Sequence, residues 1–125
     1  GKTKYQLEVH LNIKTVINYV AMVCHTRAKE NGWWDNPRND GELICLMHSE
    51  LSEAMEGLRK DLMDDHLPER KMVEVEMADA VIRIMDYCEA RNLDLGGAIV
   101  EKLIYNQERA DHKRENRNKT NGKRF

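Results

Sequence analysis

Proline is close to absent from this sequence: Pro37 and Pro68 are the only two in 125 residues. Most glycines fall where a helix would break (Gly32, Gly41, Gly96, Gly97 and Gly122), and only Gly57 interrupts a stretch that otherwise reads as helix. Little else in the chain punctuates it, so long helices are predicted. Cysteine is scarce as well. Cys24, Cys45 and Cys88 are odd in number, widely spaced and form no C-x-x-C, which argues against a disulfide framework or a zinc site and predicts buried free thiols in a reducing compartment. No apolar run approaches the ~20 residues of a membrane span, and the lysine-containing start lacks the apolar core of a signal peptide, so a cytoplasmic protein with no membrane partner is expected. Gly1 reads as a processed or engineered terminus and carries no weight. Neither sign of charge dominates. Twenty Lys and Arg against 22 Asp and Glu leave a formal net charge of −2, which argues against general nucleic-acid binding by the body of the chain.

What is present is helical patterning. With 41% hydrophobic and 34% charged residues, one domain of this length buries a thin core, and association into an oligomer would enlarge it. A first helix is predicted over residues 5–30, with Leu7, Leu11, Val16, Val20 and Val23 recurring at near-helical spacing and Asn31-Gly32 as its stop. Residues 33–41, from Trp33 through Pro37, Arg38 and Asn39 to Gly41, are loop chemistry. A second helix over about 41–60 carries Leu43, Leu46, Met47, Leu51, Ala54, Met55 and Leu58 on its inner side. Pro68 suits the first turn of a third, striped by Met72, Val75, Ala78, Val81, Ile82 and Met85. Asp94 is the predicted N-cap of a fourth, running to about His112. Nothing reads as a strand. The expectation is an all-α bundle of four main helices in a single domain over residues 1–112. Residues 113–125 (Lys113, Arg114, Arg117, Lys119, Lys123, Arg124) form a basic tail, expected to be solvated and frayed rather than a nucleic-acid arm.

Two acidic pairs carry the chemistry. Glu50 and Glu53 on the second helix, and Glu76 and Asp79 on the third, are each three residues apart, so each pair projects two carboxylates from one helix face. A single such pair is usually a solvated face. Here both pairs are flanked by apolar residues, and carboxylates at a packed seam repel unless a cation lies among them. Hard oxygen ligands in such a group favour Mg²⁺ or Mn²⁺.

Glu50-x-x-Glu53, then Glu76-x-x-Asp79, then Lys102-Leu-Ile-Tyr-Asn106-Gln-Glu-Arg109 resembles the signature of the MazG-like all-α nucleoside triphosphate pyrophosphohydrolases. Pro37-Arg38-Asn39 ahead of the first pair is similar to their house-cleaning dNTP pyrophosphatase branch. The likeness spans roughly residues 33–109. It implies hydrolysis of a nucleoside triphosphate to a monophosphate and pyrophosphate, with a homodimer or homotetramer as the assembly. It also implies that Glu50, Glu53, Glu76 and Asp79 hold Mg²⁺, with Mn²⁺ as the substitute, and that Glu53 or Glu50 serves as the catalytic base. Lys102, Asn106 and Arg109 would then face the substrate's phosphates or sugar.

Four other candidates have two readings each. Arg83, four residues after Asp79, either reaches the triphosphate or pairs with Asp79. Lys60 either serves the substrate or, with Arg59, complements the end of its own helix. Trp33 and Trp34 either stack on the nucleobase or anchor their loop. Two rival classes are weighed against the enzyme. A ferritin-like di-iron protein needs Glu-x-x-His, which occurs nowhere in the chain. The alternative is a catalytically silent helical adaptor or nucleotide-binding protein.

Overall fold

A computed structural model describes residues 3–119, and the expectations for Gly1, Gly122, Lys123 and Arg124 concern residues outside that range. The described residues are helical, with four helices and no strand: α1 (Lys4–Glu30), α2 (Asp40–Arg59), α3 (Met72–Ala90) and α4 (Leu95–Lys119). No helix among them is long and apolar enough to cross a membrane. They divide into two compact units, one of residues 18–93 and one of residues 3–17 with 94–119.

In the unit of residues 18–93, α2 lies against α3. The buried positions of α2 are Leu43, Met47, Glu50, Ala54 and Gly57, alternating four and three residues apart, which is the narrow seam of one helix on another. Opposite it α3 buries Glu76, Ala80, Met85 and Cys88. Gly57 is explained by this packing. A Cβ there would stand 2.9 Å from the Cβ and Cγ of Met72, so only glycine lets the start of α3 come this close. The stripes are narrower than the sequence implies, because Leu51, Met55, Leu58, Val81 and Ile82 are exposed while two glutamates occupy seam positions. Of the three free cysteines Cys88 is buried, Cys24 half-buried and Cys45 exposed, which corrects the expectation for Cys45.

Three helices end in the same way. Gly32, Asp61 and Asn92 take positive φ just beyond α1, α2 and α3, and the next amide bonds back five residues: Trp33 N to Ala28 O at 3.0 Å, Leu62 N to Gly57 O at 3.0 Å and Leu93 N to Cys88 O at 2.8 Å. The third helix starts later than expected. Pro68 sits in a turn closed by Arg70 N to Leu67 O (2.9 Å), and α3 begins only at Met72, after an isolated antiparallel bridge between Met63 and Lys71. The fixed φ of proline suits the second position of a turn as well as the first turn of a helix, so the residue alone did not choose between them.

In the other unit, Asp94 caps α4 by accepting from Gly97 N at 2.8 Å. A Cβ at Gly97 would overlap the Asp94 carboxylate, so a larger residue there would displace the cap. Lys14 pairs with Asp94 at 3.3 Å. The helix runs seven residues past the expected end at His112, with no apolar stripe beyond Ile104 to signal it. Its later turns are instead held by pairs one turn apart, Gln107 with Asp111 at 2.9 Å and His112 with Asn116 at 3.1 Å.

Candidate functional site

Two seam glutamates and a neighbour make the site. Ligand oxygens of Glu50, Glu76 and Asp79 all lie within 4.8 Å of one another, and the group could hold a metal ion. Glu50 and Glu76 are only 9% and 8% exposed. A second glutamate forced this close to the first cannot also be charged at ordinary cost. The Glu76 carboxyl is pushed up to about 8, first by hydrogen bonding with Glu50, then by burial and by Glu53. Asp79 is raised too, by burial first and then by Glu50, against the opposing pull of Arg83. Oε2 of Glu76 is buried with no hydrogen-bond partner. A buried oxygen without a donor, in a group that must otherwise retain a proton, fits a bound cation.

Glu53 is exposed and is not one of the three, but its charge acts on both Glu76 and Asp79. Arg83 is the cation of the site. Its Nε donates to Oε1 of Glu50 at 3.0 Å, across the helix pair, so the partner is Glu50 rather than the Asp79 one turn away on its own helix. Asp64 was not singled out from the sequence. It is 8% exposed in the α2–α3 loop, its Oδ2 accepts from His66 N (3.0 Å) and Leu67 N (2.8 Å), and its charge bears on Asp79.

Beside the carboxylates is a cleft of about 380 Å³, with Glu50, Asp79, Arg83, Trp33 and Asp86 in its lining. The loop that bounds it is fixed residue by residue. Trp33, a residue 47% exposed, takes the amide position that closes α1, and its ring has the guanidinium of Arg83 at 5.2 Å and that of Arg38 at 5.7 Å. Trp34 faces a different task. Its indole Nε1 donates to Asp86 at 2.9 and 3.2 Å, and its ring meets His25 edge-on at 5.4 Å. His25 Nδ1 lies 2.8 Å from the same carboxylate, and since a carboxylate only accepts, that nitrogen carries the hydrogen. Arg91 closes the loop from the far end of α3, donating to Asp40 at 2.7–2.8 Å and to Arg38 O at 3.1 Å, with Trp34 and Tyr87 rings at 5.5 and 5.8 Å. Asn39 then caps α2 by accepting from Glu42 N at 3.1 Å.

The remaining sequence candidates lie elsewhere. Lys60 is the C-cap of α2 and pairs with Glu56 at 2.7 Å, as Arg59 does at 3.9 Å, the self-contained reading of both. Lys102, Asn106 and Arg109 are exposed on α4 in the other unit, where Lys102 Nζ and the Arg109 guanidinium lie 4.7 and 5.7 Å from the Tyr105 ring. Asp86 and Arg91, which hold the cleft loop, gave no signal in the sequence beyond charge at helical spacing. Comparison with protein-family models, curated proteins and solved structures finds no match to the chain.

Proposed function

We propose that the chain is a Mg²⁺-dependent nucleoside triphosphate pyrophosphohydrolase, with Mn²⁺ as a substitute, cleaving a triphosphate between its α and β phosphates. The observation that carries this reading is the group of carboxylate oxygens of Glu50, Glu76 and Asp79, with Glu76 buried, beside a cleft whose lining also includes Arg27, Arg83 and Trp33. When bound, such an ion neutralises phosphate oxygens and lowers the pKa of water. Glu50, Glu76 and Asp79 would hold it, with Glu76 in its deprotonated form. Glu53, exposed and one turn from Glu50, has the access to accept the proton of the attacking water at its carboxylate. Arg83 is the cation beside the cluster for phosphate charge, and Trp33 the exposed aromatic residue for stacking a base. Lys102, Asn106 and Arg109 enter the proposal on the resemblance alone. Association of at least two copies belongs to the same reading, supported by the exposed apolar row of Ile44, Leu51, Met55 and Leu58 on α2.

The test is incubation with the common ribo- and deoxyribonucleoside triphosphates and Mg²⁺, with detection of pyrophosphate. Release from at least one nucleotide, lost on addition of EDTA, is the expected result. No release from any of them leaves the helical adaptor as the better reading.

A further inference from the structure

The side of α3 that bears the acidic cluster continues past it. Glu76, Asp79, Arg83 and Asp86 recur at three, four and three residues, one stripe along the helix, and the last three line the cleft. Seven residues separate Asp79 from Asp86, a rise of about 10 Å, comparable to the span from a nucleotide's first phosphate to the far edge of its base. The ladder therefore has a phosphate end and a base end.

The base end is chemically one-sided. Asp86 can only accept, and it is held by two donors, Trp34 Nε1 and His25 Nδ1, that fix where its oxygens point. Oδ1 accepts from both donors, whereas Oδ2 has only the longer Trp34 contact at 3.2 Å, so Oδ2 is the oxygen with capacity left for a ligand. Apolar Val23, Ala28 and Ile82 line the same cleft, with Arg27 and Asn31 supplying donors. An acceptor beside donors complements a base edge that offers an amino hydrogen next to an unprotonated ring nitrogen. It opposes an edge that offers a carbonyl oxygen to the carboxylate.

We infer that Asp86 reads the base, selecting nucleotides whose base carries an exocyclic amino group over those with a carbonyl in its place. This rests on the function proposed above. Matched pairs isolate the one group: CTP against UTP, and ATP against inosine triphosphate. The parent protein is expected to show at least tenfold higher kcat/KM for the amino member of each pair, on the scale of a hydrogen bond to a charged acceptor gained against one lost. In Asp86→Asn, whose side chain keeps an acceptor for Trp34 but also presents an N–H, both ratios should fall to within about threefold.

Equal rates or the opposite preference in the parent overturn the assignment without recourse to any variant. So does a parental preference that survives in a folded Asp86→Asn protein. If no nucleotide is hydrolysed, the proposed function fails, and calorimetric titration with CMP and UMP decides the base end separately. Tighter CMP binding by tenfold upholds Asp86 as the reader; equal binding, or none, overturns it.

Discussion

Replacing Glu76 with glutamine removes a charge that the fold accommodates only by retaining a proton. The carboxyl is raised from 4.5 to about 8. At 1.36 kcal/mol per unit, the full shift corresponds to about 5 kcal/mol, an upper bound because Glu76 is hydrogen-bonded to neighbouring carboxylates and does not titrate alone. The direction follows from proton counting. Between pH 4.5 and 8 the folded chain holds a proton that the unfolded chain has lost, so stability is complete below about 4.5 and drains away as pH rises through 8. Across pH 6 to 8, the metal-free parent should lose at most about 2 kcal/mol from this group, still a sizeable part of the 5–15 kcal/mol typical of a domain. Glu76→Gln has no proton to lose. Urea denaturation in EDTA at pH 6, 7 and 8, read as variant minus parent, cancels the five histidines that titrate in the same range. The difference should grow in favour of the variant toward pH 8. With saturating Mg²⁺ it should shrink or reverse, because binding to the folded state alone stabilises the parent. A variant less stable than the parent at pH 8 in EDTA, or a difference independent of pH, would refute the reasoning.

Trp33→Ala should raise KM for the best nucleotide about tenfold with kcat changed far less, on the ~1–3 kcal/mol of a base–aromatic stack; an unchanged KM assigns the ring to Arg38 and Arg83 alone. Gly57→Ala should cost about 1–3 kcal/mol in urea denaturation, since the methyl would press on Met72 at 2.9 Å; a neutral result means that α2 and α3 separate at little cost. Sedimentation at micromolar concentration should show a dimer or larger species, and a monomer alone would count against the exposed row on α2 as an interface.

Much of the fold was legible because helix signals in this chain are local. The stop at Gly32, the cap at Asp94 and the absence of proline from long stretches each act within a few residues. Three of the four carboxylates expected in the acidic cluster were legible for a similar reason, but spacing of three did not reveal that Glu50 takes the seam while Glu53 stays exposed. Which helix face was inner was not legible. Apolar residues ring both α2 and α3, so composition could not reveal that Glu50 and Glu76 take seam positions while Leu51, Met55 and Ile82 stay exposed. Asp64, Asp86 and Arg91 were missed because their roles depend on partners that are distant in sequence or, for Asp64, on a turn that no local signal predicted. The last turns of α4 were missed because side-chain pairs one turn apart extend that helix without an apolar stripe.

The central claim is hydrolysis of the phosphoanhydride bond between the α and β phosphates, aided by the Glu50, Glu76 and Asp79 cluster. Hydrolysis in ¹⁸O-labelled water followed by ³¹P NMR tests it directly. Label is expected in the nucleoside monophosphate or in pyrophosphate, with no orthophosphate formed and turnover lost in Glu76→Gln. Label in orthophosphate, or turnover undiminished in Glu76→Gln, would contradict it.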